Sequence, residues 1–322
     1  MRILRIEQLL HFYEDMLRIR FFEEKIRDEL YPNKQMRGGT HLYIGQEAVA
    51  VGALHAIEPE DYVISTHRGH GHALAKGCDP MRMYAELFGR RDGYSKGKGG
   101  SMHIADKDIN FLGENPVVAA NIPMAAGAGL ACKLLGNGRI VIDFFGEGAA
   151  NNGAFHEALN MAGLWKLPVV FICENNLYAI SVPVEQATAI EEIHRRADSY
   201  GMPGKRENGM DVVVVYHTVA EAVRLAREES EPILLVFDCY RFEGHHMADQ
   251  QPYRSKQEPL QMRREHDPIH LLEKQILEDC LLEPAQMVDH RERIRAEIDE
   301  AAEEALKSPA PAPEEALEDI YA

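Results

Sequence analysis

The fold is decided by Arg139–Ser181, RIVIDFFGEGAANNGAFHEALNMAGLWKLPVVFICENNLYAIS. Ile140–Phe145 is an almost wholly apolar run, rich in β-branched and aromatic residues and bounded by Gly138 and Gly146, which suits a parallel strand buried on both faces. Gly153–Lys166 has helical spacing, with Phe155, Leu159, Ala162, Gly163 and Leu164 on one face, and Pro168–Cys173 reads as the next buried strand. A strand, a helix and a second parallel strand imply a right-handed crossover. The turns Gly146-Glu147-Gly148 and Asn175-Asn176 then sit together at the carboxyl ends of the strands, the edge where open α/β sheets bind ligands.

A carboxylate, a carboxamide and bare glycine backbone suit a hard cation that holds a phosphate-bearing ligand. Mg²⁺ takes oxygen ligands and prefers one or two protein groups plus phosphates. Gly148 and Ala149, read as opening the helix, would offer N–H groups to the same phosphates. A strand end followed by a capped helix remains an equally open reading of the turns alone.

Outward from this stretch, strand and helix patterns alternate. Ile6–Tyr31 is an amphipathic helix with a docking role, Met36–His41 a polar turn, and Gln46–Ala56 a helix. A short strand, Asp61–Ser65, leads into Thr66-His67-Arg68-Gly69-His70-Gly71-His72. Three histidines at H-x-x-H-x-H spacing raise a zinc site on His67, His70 and His72. Arg68 in their midst argues instead for an anion, because a guanidinium binds phosphate oxygens in pairs. Gly89–Ser101 is rich in glycine and lysine but lacks the G-x-x-x-x-G-K-S/T spacing of a P-loop, so it is expected to be a structured surface loop.

Leu112–Asn121 reads as a connector before a helix at Pro123–Leu135 that starts with its proline. Further helices are expected at Ile190–Tyr200 and Val219–Glu229, and strands at Val212–Tyr216 and Ile233–Phe237. Tyr240–Arg254 lacks periodicity, and unstructured segments of that length are commonly functional. Helices then run from Asp267 to about Leu306, before the proline-rich Ser308–Pro313.

The reading is therefore α/β, with a doubly wound, mostly parallel sheet flanked by helices. It divides into a docking helix at 1–35, the α/β ligand-binding domain at 36–265, and C-terminal helices with an extended tail at 266–322. A net charge of −17 over 322 residues argues against nucleic acid as the default partner. Five cysteines with no C-x-x-C pair suggest reduced thiols. With no signal-peptide pattern and no uninterrupted apolar span, these features predict a cytoplasmic protein without a membrane partner.

These segments resemble, over nearly the whole chain, the α subunit of the thiamine-diphosphate-dependent E1 component of 2-oxoacid and acetoin dehydrogenase complexes. The resemblance rests on HLYIGQEA from His41, STHRGHGHALAKG from Ser65, KGKGGSMHIAD from Lys96, GEGAANNGAFHEALNMAGLWKLPVVFICENN from Gly146, and DPI at Asp267. HRGHGH and ISVPVEQATA look most like acetoin dehydrogenase, with bacterial pyruvate dehydrogenases close behind. The resemblance implies the thiamine-diphosphate-binding fold, with Glu147, Asn176 and the Tyr178 carbonyl on Mg²⁺. It places Arg68, Gly146, Gly148, Ala149 and His245 at the diphosphate. His67 stands there too, where many relatives carry tyrosine. Pro116 and Val118 would hold the aminopyrimidine, and His41, His67 and His245 would serve the chemistry.

The resemblance further implies a β subunit in an α₂β₂ heterotetramer, which supplies the glutamate that activates the cofactor, and a lipoyl-bearing E2 acceptor. The family commonly has aspartate where this chain has Glu147. Two alternatives stand beside this reading: a non-oxidative, transketolase-type thiamine enzyme, and a zinc hydrolase on His67, His70 and His72.

Overall fold

The computed structural model describes residues 4–36 and 38–319. Arg37 of the polar turn and the outermost residues of both terminal segments therefore lie outside the described residues. In chain order the elements begin with α1 (Ile6–Lys25), which runs into one π-helical turn at Ile26–Leu30, then α2 (Glu47–Leu54) and β1 (Tyr62–Thr66). They continue with α3 (His70–Lys76), α4 (Pro80–Leu87), β2 (Phe111–Asn115), α5 (Asn121–Leu135) and β3 (Val141–Gly146). Next come α6 (Gly153–Trp165), β4 (Val169–Asn175), a two-residue hairpin of β5 (Tyr178–Ala179) and β6 (Val182–Pro183), and α7 (Val184–Ala187). The chain closes with β7 (Gly204–Asn208), α8 (Val212–Glu229), β8 (Ile233–Asp238), α9 (Gln257–His266), α10 (Pro268–Glu278) and α11 (Pro284–Lys307).

Six strands form one sheet in the order β2-β1-β3-β4-β8-β7, and every pairing in it is parallel. Alternation along β3 divides the core. Ile142 and Phe144 join a cluster with α1, α2, α8 and α11, while Val141 and Phe145 join another with α5 and α6. Both faces are thus covered, which is why the central strands read as unbroken apolar runs. From β1 the chain passes to β2 on one side and later returns to β3 on the other. The strand order therefore reverses between β1 and β3, and the crevice beyond their carboxyl ends is the topological switch point.

Several expectations are corrected. The valine run at 212–216 begins α8 and forms no strand: Asp211 caps it, accepting from the N–H groups of Val213 and Val214 at 2.9 and 3.1 Å. The buried positions Val212, Val215, Val219, Ala222, Val223 and Ala226 keep helical spacing, so burial on one stripe overrides β-branched propensity. The strand in this region is instead the preceding polar edge strand β7. Inside the supposed 112–121 connector lies β2, and α5 starts two residues before Pro123. Gly148 and Ala149 sit in a short 3₁₀ turn, Glu147–Asn151, because α6 begins only at Gly153 under an Asn152 cap. Leu164 also leaves the expected buried face and is 73% exposed. No described helix is long and apolar enough to cross a membrane.

α1 is joined to the rest by buried charge as well as apolar packing. Arg20 donates to Glu47 at 2.6 Å and to both oxygens of Asp267 at 2.9 and 3.2 Å. Glu47 also accepts from Gly45 N, and Asp267 caps α10. One guanidinium therefore ties α1, α2 and α10 together. We predict that Arg20→Met, which leaves two buried carboxylates without their counter-charge, lowers stability by about 3–5 kcal/mol. Urea unfolding checks this, and an unchanged midpoint would refute it.

Candidate functional site

The switch-point crevice holds a pocket of about 830 Å³, including space open to solvent. Its floor follows from the parallel register, which places Gly146 of β3 opposite Glu174 of β4. Glu147 and Asn176 follow directly, 3% and 7% exposed. The Glu147 carboxylate accepts from the N–H of Asn176 at 3.2 Å. Burial raises its pKa, against the pull of that N–H and of Arg241 and Arg68. The Asn176 side chain donates to Gln46 at 3.2 Å, while its Oδ1 is buried and without a partner. A buried carboxylate beside an orphaned amide oxygen is the donor set a hard cation requires.

Glycine has a specific use in this turn. A Cβ on Gly148 would stand 2.7 Å from the Cβ of Ala179, so only glycine lets the turn and β5 approach this closely. A Cβ on Gly146 would meet nothing within 4 Å, because that position faces the open pocket.

Two guanidiniums enter from other strand ends. Arg68, just past β1, is 4% exposed and donates to the carbonyls of Leu42 and His245. Burial and the neighbouring Arg241 lower its pKa to about 9. Arg241, just past β8, is 1% exposed and donates to Tyr178 O at 3.2 Å, Ile180 O at 3.0 Å and the Tyr253 hydroxyl at 2.8 Å. The Tyr178 carbonyl, expected on a metal, therefore already accepts one hydrogen bond and has one lone pair left.

The opposite wall is the loop after β2. Val118 and Ala119 line the pocket, whereas Pro116 is outside the lining. Asn115 accepts from Val117 N at 2.9 Å, and Ala119 takes φ +70°. Ile180 on the pocket lining takes φ +57°, and Leu177, next to Asn176, takes φ +75°. Three non-glycine residues in the left-handed region around one cavity mark stored strain, each at a cost of about 1 kcal/mol.

Three histidines from separate segments meet at the mouth. His41 lies 4.7 Å from His67 and 4.9 Å from His245, and His67 lies 5.5 Å from His245, between ring centroids. Burial, then the positive charges around them, push their pKa values down, to about 2 for His41, about 3 for His67 and about 4 for His245. All three rings are neutral at neutral pH.

The zinc expectation on His67, His70 and His72 fails on geometry. His70 is buried between Glu23 at 3.2 Å and the Ser101 hydroxyl at 3.0 Å. His72 contacts Ser65 at 2.7 Å and Tyr43 at 3.1 Å, and stacks on Phe144. Both rings lie on α3 and are buried among separate sets of partners, apart from His67.

The structure thus gathers His41, His67, Arg68, Val118, Gly146, Glu147, Gly148, Ala149, Asn176, Tyr178 and His245 around one pocket. Sequence reasoning missed Arg241, Gln46 and Glu174 among the lining residues. Arg241 was open to the argument that singled out Arg68, since both are arginines just past the end of a parallel strand.

An α/β pocket at a switch point, with a carboxylate–carboxamide floor and buried arginines, has the chemistry that suits a phosphorylated ligand held with a cation. Residues 14–314 match the family described as the dehydrogenase E1 component. The chain is 42% identical to the α subunit of acetoin:2,6-dichlorophenolindophenol oxidoreductase of Bacillus subtilis, over 98% of this chain and 94% of that protein. It is 44% identical to the pyruvate dehydrogenase E1 α subunit of Zymomonas mobilis, over 98% of this chain and 88% of that one. It is 42% identical to the human testis-specific mitochondrial form of that subunit, over 97% and 79%. The chain belongs to the dehydrogenase E1 component family of thiamine-dependent oxidoreductases, and the relatives named are α subunits, which implies a β subunit and an E2. This fits the E1 α reading and neither alternative.

The lowered histidine pKa values predict an acid response. With its folded pKa near 2 and its unfolded value near 6.5, His41 adds stability above about pH 6.5 that drains away as pH falls toward 2. Replacing His41 with Gln should move the acid-unfolding midpoint, followed by far-UV circular dichroism, to lower pH. A midpoint that stays put or rises counts against the buried neutral imidazole.

Proposed function

We propose that the chain is the E1 α subunit that anchors the diphosphate end of thiamine diphosphate through Mg²⁺. With a β subunit in an α₂β₂ assembly, it cleaves a 2-oxoacid or acetoin and passes the acyl unit to a lipoyl-bearing E2. The observation that carries this is the orphaned Asn176 Oδ1 beside the buried Glu147, whose carboxylate feels the charges of Arg68 and Arg241. Mg²⁺ would take Glu147, Asn176 Oδ1 and the free lone pair of the Tyr178 carbonyl, with phosphate oxygens completing its shell. Glutamate suffices where the family commonly has aspartate, because the turn carrying it is a short 3₁₀ segment whose backbone sets the side chain's reach.

Arg68 and Arg241 would neutralise the diphosphate, and the N–H groups of Gly148 and Ala149 would donate to it. His245 and His67 stand near enough to Arg68 to share that end. Val118 and Pro116 would support the aminopyrimidine against the apolar wall. When bound, the cofactor supplies an electron sink for C–C cleavage. The chain's own part is to hold that group rigidly, exclude water through Val118, Ala119, Ala179 and Ile180, and carry protons at the mouth. His41 Nδ1 is a buried, unpartnered atom on a neutral ring, placed to accept a hydrogen bond from the substrate.

The chain with its β subunit should turn over pyruvate or acetoin with an artificial electron acceptor. Glu147→Ala should weaken Mg²⁺-dependent thiamine diphosphate binding at least ~100-fold, as expected for loss of a metal-site group. Glu147→Asp should keep binding and activity. Calorimetry of cofactor binding decides: an alanine variant with wild-type affinity overturns the anchor.

A further inference from the structure

We propose that His41, His67 and His245 form a binding site for a borderline divalent transition cation of the Zn²⁺ class, separate from the carboxylate–carboxamide floor. Among the described residues these three form the one group of three or more histidine, cysteine or carboxylate side chains whose ligand atoms all lie within 4.8 Å of one another. A tetrahedral ion with Zn–N bonds of about 2.0–2.1 Å holds its ligand nitrogens roughly 3.4 Å apart. Closing the triad therefore takes about 1.4 Å at most, within reach of small side-chain rotations.

The donors are free to bind. His41 Nδ1 is buried without a partner, and the Nδ1 of His245 has only a 3.5 Å contact from Arg241. The neutral rings release no proton on metallation, which favours the metal. Imidazole suits Zn²⁺, Co²⁺, Ni²⁺ or Cu²⁺, whereas Mg²⁺ prefers the oxygen donors of the floor. Arg68 and Arg241 beside the triad repel a bare cation, so the fourth ligand is an anion, such as hydroxide, chloride or inorganic phosphate, that the guanidiniums help to hold.

The site has a consequence that rests on the proposed function. His67 and His245 flank the diphosphate end of the pocket, so a cation on the triad obstructs cofactor loading. The mouth would then act as an inhibitory metal site.

The test is titration of Co²⁺ into the full chain free of thiamine diphosphate, followed by visible absorption, with Zn²⁺ as competitor. One equivalent of Co²⁺ should give the intense bands of a tetrahedral ion, displaced by Zn²⁺ and not by excess Mg²⁺. Each of His41→Asn, His67→Tyr and His245→Asn should weaken binding at least ~100-fold, and Glu147→Gln should leave it unchanged. Circular dichroism confirms that each variant is folded, and Zn²⁺ should raise the thermal midpoint of the wild type and of Glu147→Gln but of none of the three histidine variants. Absent tetrahedral bands, or an affinity unmoved by all three histidine variants, overturn the site. If the bands appear and the variants lose them, but Zn²⁺ leaves thiamine diphosphate binding untouched, the site stands and its overlap with the diphosphate is refuted.

Discussion

Positive charge buried at the ends of parallel strands is the constraint on which the pocket depends. Arg68 and Arg241 are almost wholly inaccessible, and no described ion pair reaches either guanidinium. Backbone carbonyls from Leu42, His245, Tyr178 and Ile180 hold them, and carbonyl dipoles repay only part of the desolvation. The remaining deficit shows in the lowered basicity of Arg68 and in the neutral histidines around it. Glu147 is held in the same field, where burial raises its pKa against the pull of the two guanidiniums. A pocket of this kind favours a ligand that brings its own negative charge together with a cation, and a diphosphate with Mg²⁺ supplies both.

Such charges persist only on a rigid base, and the buried networks behind the pocket provide it. Glu23 accepts from Tyr43 N and faces His70, whose other nitrogen meets Ser101, itself paired with Thr40. On the next strand ends, Ser65, His72, Tyr43 and Glu174 form a second chain of contacts. Asn121 links the start of α5 to Asp143 and to the Phe144 carbonyl, both at 2.8 Å, and Asp143 is pushed well above the carboxylate range by burial. This fixes the helix that follows the strained 115–120 loop against the central strand. Partly satisfied polar networks are costly, so these contacts specify one arrangement of the pocket wall more strongly than apolar packing alone would.

How much of this was legible depended on whether the signal was local. Unbroken apolar runs between glycines identified β3 and β4, and the switch point followed from parallel topology without a coordinate. Glu147 and Asn176 were readable for the same reason, since each directly follows a recognisable strand. The triad of His41, His67 and His245 was not readable from spacing, because its members are brought together only by the return of the 240–254 loop. Spacing instead suggested His67, His70 and His72, but His70 and His72 lie on α3 and turn into the core. The valine run at 212–216 misled through propensity, which a single Asp211 cap and a buried stripe outweighed.

The glycine- and lysine-rich loop shows why the number of backbone donors a segment displays does not reveal what it binds. Its N–H groups at Ser95, Gly97, Gly99 and Gly100 converge on one carboxylate, Glu86, at 2.7–2.9 Å. Glu86 is 1% exposed, so the chain carries its own anion there and the nest is closed to any other. At Asn176 the balance is reversed: its buried amide oxygen has no internal partner, and no described lysine or arginine side chain bonds the Glu147 carboxylate beside it. A binding site is marked by what the fold leaves unsatisfied. By that criterion the Gly146–Asn176 edge is where we propose a cation with its phosphate ligand, and the loop at 89–101, for all its glycines and lysines, is scaffold.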